Sequence, residues 1–356
     1  MQPGAWMVYG AYGYTGRLIV AEAVSRGYRP IVAGRNAEQV ESVAQAYNLE
    51  ARVVSLDDAA ALRHALRDVD VVVHAAGPFV RTAMPMVEAC LATKTHYVDI
   101  TGEISVFEQT FARDEEARQA GVALLPGSGF DVVPSDCLAA YVAGKIEQPI
   151  ALEIGIAALS RTSPGTAQTM IEHVPQGNLV RRDGVLVRVP FGTLTRTIHF
   201  SDKPRQAVAI PWGDLATAYR STGIPNITTY MAFPPAMIRQ MRFLSWLAPL
   251  FRIGAVRRAV QAWIRRSVKG PDEQLLARGR SYLWAQVRNA AGEAAEAWLE
   301  TCEGYRFTAL AVVAVVERLA ETAVQGALTP AQAFGADFVL EIDETRRFDQ
   351  IERTKS

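Results

Sequence analysis

Along the first 147 residues, short apolar runs alternate with segments whose apolar positions recur every three or four residues. The runs are Trp6–Tyr9, Pro30–Ala33, Ala51–Leu56, Val69–Ala75, Thr95–Ile100 and Val122–Leu125. Between the first two, Leu18, Ile19, Ala21, Ala23 and Val24 form an apolar face that ends at Arg26-Gly27. Ala59–Leu66, Pro85–Leu91, Val106–Gln119 and Pro134–Ile146 repeat that helical pattern. Apolar residues at the helical period mark amphipathic helices, and short continuous apolar runs mark strands buried on both faces. Strands alternating with helices in this way predict an α/β fold built on a doubly wound, mostly parallel sheet.

The pattern changes after Pro149. Leu152–Leu159, Val185–Val189, Leu194–Phe200, Ala207–Ile210 and Ile227–Phe233 read as strands without regular helices between them, which predicts an open antiparallel or mixed sheet. A basic helical stretch from Pro235 to about Lys269 follows, then strands at Tyr282–Val287 and Ala295–Cys302. An apolar helix spans Tyr305 to Gln325, and Thr329-Pro330 ahead of Ala331–Phe334 has the signature of a capped short helix. These shifts predict one domain over 1–148, an α+β domain over 149–304, and a C-terminal portion, 305–356, that returns to cover the first sheet.

Composition narrows the function classes. The 356 residues are 49% hydrophobic and 21% charged, enough apolar material for two packed domains and too much for a disordered chain. Lysine plus arginine and aspartate plus glutamate both total 37, a balance that argues against a general nucleic-acid binder. Cys90, Cys137 and Cys302 are far apart and lack metal or disulfide spacing, so buried inert thiols in a reducing, cytoplasmic setting are expected. No N-terminal signal and no apolar run of membrane-spanning length is visible. His64, His74, His96, His173 and His199 do not cluster at ligand spacings, so no metal is expected. His74, inside a buried strand, reads as a hydrogen-bonded core histidine.

The first strand-to-helix turn carries the chemistry. Gly10, Gly13 and Gly16 are spaced three apart, with a strand before them and a helix after. A tight turn needs a residue tolerant of unusual backbone angles, and a pyrophosphate needs bare N–H groups at a helix N-terminus. Glycine meets both needs, and the third glycine lets the helix sit close to the strand, so the first domain reads as a Rossmann nucleotide-binding domain. At the end of the second strand, where an NAD-binding fold carries an acid for the ribose hydroxyl, the chain has Gly34-Arg35-Asn36. A guanidinium there suits a 2′-phosphate, so the expected cofactor is NADP(H) rather than NAD(H).

The loops together resemble a known family. G-A-Y-G-Y-T-G at 10–16, A-G-R-N at 33–36, H-A-A-G-P-F at 74–79, Y-V-D-I-T-G-E at 97–103 and P-G-S-G-F-D-V-V-P-S-D at 126–136 are similar, in order and spacing, to the saccharopine dehydrogenase-like oxidoreductases. Later segments, Arg278–Ser281 and Gly326–Gly335, resemble the same family. The resemblance implies a Rossmann domain followed by an α+β domain carrying substrate contacts and a homodimer contact. It implies that Gly10, Tyr12, Gly13, Tyr14, Thr15 and Gly16 hold the pyrophosphate. Arg35 and Asn36 would take the adenosine end, and Ala76, Gly77 and Pro78 would lie along the cofactor towards the nicotinamide. The branch this chain resembles most includes enoyl reductases that act in trans on polyketide or lipid chains.

Hydride transfer asks for a positioned cofactor and a proton donor near the acceptor carbon. Asp131, after a Gly-Ser-Gly, is the catalytic candidate; the competing reading makes it an N-cap for the helix near Pro134. Asp99 and Glu103 flank the fifth strand's end, and Glu103 also reads as a first-turn acid complementing a helix dipole. Tyr97 reads as packing. Tyr141 and Lys145 match the Tyr-x-x-x-Lys of short-chain dehydrogenases, with Ser128 upstream, but they follow the sixth strand and lie on an apolar helix face, so they read as a decoy.

From Arg239 to Pro271 eight basic residues interleave with aromatic and aliphatic ones, with no acid between them. Two readings stand: a pair of ordinary amphipathic helices, or a surface for a peripheral membrane contact or a carrier-bound acyl substrate. The function expected is therefore an NADP(H)-dependent reductase for an apolar, lipid- or polyketide-like substrate. The alternatives are a saccharopine-type amino-acid dehydrogenase and a non-catalytic NADP-binding redox sensor.

Overall fold

The computed structural model describes residues 4–158, 178–190, 192–244, 254 and 273–351. The chain divides into two compact units, one formed by residues 1–133 with 305–342, the other by 134–304 with 343–356.

The first unit is built on a seven-stranded parallel sheet. Its strands are β1 (Trp6–Tyr9), β2 (Ile31–Gly34), β3 (Ala51–Val53), β4 (Val71–His74), β5 (His96–Asp99), β6 (Ala123–Leu125) and β15 (Gly326–Ala327). In space they run β3-β2-β1-β4-β5-β6-β15, the Rossmann order extended by one strand. The order reverses between β1 and β4, where the two halves of such a sheet leave a crevice at the strands' carboxyl ends. The central strands are buried throughout, as their continuous apolar runs require; β3, at the edge, is largely exposed.

Its helices are α1 (Tyr14–Ser25), α2 (Ala37–Tyr47), α3 (Ala59–Ala65), α4 (Phe79–Thr93), α5 (Ile104–Phe111) and α6 (Asp114–Ala120). Two of these differ from the sequence pattern. Proline at 85 suggests a helix start, yet it lies inside α4, whose first turn is capped from another loop. The single helix expected over 106–119 is broken into α5 and α6 at Ala112-Arg113.

The second unit holds α7 (Val133–Ala143), whose first residue falls on the boundary, and a nine-stranded mixed sheet. The sheet comprises β7 (Pro149–Ala158), β8 (Asn178–Arg182), β9 (Val185–Val189), β10 (Thr195–His199), β11 (Pro204–Ala209), β12 (Asn226–Ala232), β13 (Arg280–Asn289), β14 (Ala294–Cys302) and β16 (Arg346–Phe348). β12 pairs with β7 in parallel and the other pairings are antiparallel. Among the described residues the pattern missed a regular helix here, α8 (Asp214–Thr222), closed by Gly223 in the left-handed region. Helices α9 (Pro235–Leu244) and α10 (Glu273–Arg278) flank the remainder of the basic stretch, which lies outside the described residues apart from Gly254.

The tail is shared between the units. Helix α11 (Gly304–Glu321) carries fully buried Phe307, Ala311, Val312, Val313 and Val315, and β15 joins the first sheet beside β6. Helix α12 (Pro330–Phe334) is the expected capped short helix, and its cap is a capping box of Thr329 with Gln332. Residues 343–351 go instead to the second unit, where β16 pairs with β14. The three free cysteines are buried, and burial pushes the Cys90 thiol well up. Among the described residues no helix is long and apolar enough to cross a membrane.

Candidate functional site

The glycine turn connects β1 to α1 at the point where the strand order reverses. Gly10 has φ +87°, and a Cβ there would lie 2.9 Å from the Ala75 carbonyl carbon and the Ala76 nitrogen. The ends of β1 and β4 are thus in near contact, which brings the turn and the Ala76-Gly77-Pro78 loop together. A side chain at Gly16 would overlap the Gly10 carbonyl oxygen, so the third glycine is what lets α1 start against the strand end. Gly13 caps α1 with no side-chain hydrogen bond, and the helix has no acid in its first turn. An N-terminus left without a carboxylate suits an external anion. These residues fit the pyrophosphate of a dinucleotide.

The adenosine end fits as well. The Tyr12 ring lies against Gly34, because a Cβ there would be 3.3 Å from Tyr12 Cδ1 and closer still to Cε1. Tyr12 therefore lends its backbone to the turn and its ring to the end of β2. Arg35 follows Gly34 and is exposed, with no carboxylate paired to it among the described residues. The Asn36 side chain has another use: its Oδ1 accepts from the Gln39 amide at 3.0 Å as the N-cap of α2. Tyr14 packs edge-on against Tyr305 of α11, ring centroids 5.1 Å apart, and Thr15 is half-buried beside it in the first turn of α1.

Two buried carboxylates tie the strand-end loops together. Asp99, fully buried at the end of β5, accepts from the Thr101 amide at 2.9 Å and the Gly127 amide at 2.8 Å through Oδ1. Its Oδ2 accepts from the Tyr97 hydroxyl at 2.6 Å, and its carbonyl accepts from the Ser128 amide at 2.7 Å. Burial raises the Asp99 carboxyl to about 6, against the downward pull of these hydrogen bonds. Glu103 reaches a different helix from the one it precedes: Oε1 accepts from the Phe79 amide at 3.0 Å and Oε2 from the Val80 amide at 2.7 Å. It caps α4, whose own N-cap is Pro78. The Thr82 hydroxyl donates to the Ala76 carbonyl at 2.7 Å and pins the adjoining loop.

The remaining candidates divide. Asp131 stands two residues before the start of α7, with its carboxylate against Gly102. Thr308 of α11 accepts from the Phe130 amide at 3.0 Å and packs on Gly129. Nothing in the sequence pattern joins α11 to these loops, since Thr308 sits on an apolar helix 178 residues away. His74 is corrected: it is fully buried, but neither ring nitrogen has a hydrogen-bond partner. Tyr9, Phe79 and Tyr97 surround it at centroid distances of 5.6, 5.5 and 6.3 Å. Burial drives its pKa down to about 3, so it stays neutral. The decoy set is engaged elsewhere. Ser128 donates to the Leu125 carbonyl at 2.9 Å; the Tyr141 hydroxyl donates to Asp349 at 2.9 Å and Lys145 pairs with the same carboxylate at 2.5 Å.

Comparison with known proteins agrees with this geometry. Residues 6–125 match the model of the saccharopine dehydrogenase NADP-binding domain. A trans-acting enoyl reductase of Mycobacterium leprae is 30% identical over 138 residues, 36% of this chain and 33% of that protein. A saccharopine dehydrogenase-like oxidoreductase of Bos taurus is 27% identical over 165 residues, 41% of this chain and 38% of that protein. The matched region thus spans only about a third of the length of these curated relatives. The L-glutamate-forming saccharopine dehydrogenase of Saccharomyces cerevisiae shares the fold, with TM-score 0.63 and 13% identity over 95% of this chain and 96% of that one.

Proposed function

We propose, since residues 6–125 match the saccharopine dehydrogenase NADP-binding domain, that the chain is an NADP(H)-dependent reductase acting on an apolar, lipid- or polyketide-like acyl substrate. The observation that carries the cofactor half is the uncapped glycine turn at the β1–β4 switch point, with Arg35 beside it. The amides of the 10–16 turn and the start of α1 bind the pyrophosphate, Arg35 binds the 2′-phosphate, and Ala76, Gly77 and Pro78 line the path beyond. When bound, the reduced dinucleotide supplies a hydride. The protein's own task is then to orient the acceptor, exclude water and hold a proton. Asp131, whose Oδ2 lies against Gly102, is the carboxyl assigned to hold that proton.

The acyl reading is supported by the 30% identity to a trans-acting enoyl reductase. A dicarboxylate amino-acid ligand would need convergent guanidinium groups. Arg181 instead donates to the Leu215 and Gly184 carbonyls, and Arg182 to the Arg181 carbonyl and the Thr228 hydroxyl; Arg161 lies outside the described residues.

Calorimetric titration with NADPH, followed by NADPH oxidation against a panel of enoyl-thioesters and of 2-oxo acids supplied together with an amino-acid amine, tests the reading. The expected result is tight NADPH binding and turnover on the enoyl acceptors. The Asp131→Asn variant should keep NADPH affinity and lose about 100-fold or more in turnover, the range of a general acid. Turnover confined to the amino-acid-forming acceptors would favour the saccharopine-type alternative, and binding without turnover the sensor.

A further inference from the structure

Arg17 opens the second turn of α1 and is exposed. It belongs to neither the glycine triad nor the end of β2, so the site above leaves it without a task. Its Nε donates to the Tyr12 carbonyl at 3.1 Å, which lays the guanidinium along the nucleotide turn. Tyr12 in turn covers Gly34, the residue before Arg35. The Tyr9 hydroxyl, lifted to about 12 chiefly by burial, lies within electrostatic reach of Tyr12, Arg35 and Asp57. One guanidinium is therefore held on the backbone of Tyr12, and the other follows the glycine that its ring covers. Among the described residues no carboxylate pairs with either arginine. With only Nε engaged, Arg17 keeps its remaining N–H groups for an outside acceptor.

Two exposed cations, one held on the Tyr12 backbone and the other next to the glycine its ring covers, neither paired with a carboxylate among the described residues, have the chemistry of a phosphate monoester site. We propose that Arg17 is a second anchor of the 2′-phosphate and that it determines cofactor choice together with Arg35. The inference rests on the dinucleotide site proposed above. A single guanidinium can hold a phosphate by one fork; a second fixes its position, and both lose their ligand when the 2′-phosphate is absent.

The test compares NADPH with NADH, which differ only in that phosphate. Dissociation constants for both are measured by fluorescence titration on the full chain, for wild type, Arg17→Ala, Arg17→Gln and Arg35→Ala. Wild type should prefer NADPH. Each Arg17 variant should weaken NADPH by about tenfold or more, as for a lost charge-assisted bond, and leave NADH within about twofold, the scatter expected of a group that touches only the phosphate. Equal weakening of both nucleotides would mean that Arg17 merely holds the turn through the Tyr12 carbonyl, and would overturn the proposal. An unchanged NADPH affinity would overturn it too. Failure of wild type to bind either nucleotide would instead remove the cofactor reading, and the proposal with it.

Discussion

At Asp99 and His74, neighbours across the β4–β5 pairing, burial acts with opposite sign on two titrations. Asp99 is raised from 3.8 to about 6 by desolvation, so the folded state holds its proton more tightly than the unfolded chain. Its contribution is fully present below pH 4 and lost as pH rises through 6, a difference of up to about 3 kcal/mol. Asp99→Asn keeps the acceptor for the Thr101 and Gly127 amides, so its stability relative to wild type should rise across that window in urea denaturation. His74 falls from 6.5 to about 3 by desolvation alone. Its contribution is fully present above pH 6.5 and lost as pH drops towards 3, by up to about 5 kcal/mol. His74→Leu should flatten the acid limb of the stability profile and, since no hydrogen bond is broken, cost little at neutral pH. Gly16→Ala should abolish NADPH binding, because the added carbon collides with backbone that cannot give way. Tyr141→Phe should leave turnover within about twofold of wild type, as its hydroxyl serves Asp349.

At the scale of elements, α4 shows how a helix start is decided away from its own sequence. No residue between Ala75 and Val80 offers a capping side chain, and the strongest local start signal is Pro85, six residues inside the helix. The cap comes from Glu103, twenty-four residues on, so the helix begins at Phe79. Glu103→Ala should cost about 2 kcal/mol, at the upper end for a lost cap because one carboxylate satisfies two amides. Differential scanning calorimetry measures it, and Glu103→Gln should recover part of the loss. By contrast, the start of α12 is local: Thr329, Pro330 and Gln332 supply cap, first residue and capping-box partner within four positions. That helix could be read directly. The α5–α6 break could not, since the apolar faces on either side stay in phase with a single helix.

At the scale of the molecule, alternation of strand and helix made the parallel sheet legible, and its loss after Pro149 marked the mixed sheet. Pattern could not divide the tail. The stretch from 305 onward reads as an apolar helix, a capped short helix and a polar end, but α11 and β15 belong with the first sheet while β16 pairs with β14 in the second. Edge pairing of three residues has no sequence signature, because almost any short polar strand can complete a ladder. The Rossmann order itself follows from connection rules once the strands are known, and it puts the glycine turn at the crevice.

The amino-acid sequence alone determined most elements of the first domain, the class of sheet, the glycine turn and the cation at the end of β2. Each of these depends on residues a few positions apart, where steric preference and the period of burial act directly. Tertiary structure decided which strand ends meet: Gly10 against Ala75 and Ala76, Glu103 on the start of α4, Asp131 beside Gly102, and Thr308 under Gly129. Such contacts join residues that only strand order brings together, and a buried carboxylate takes its role from the amides it finds there.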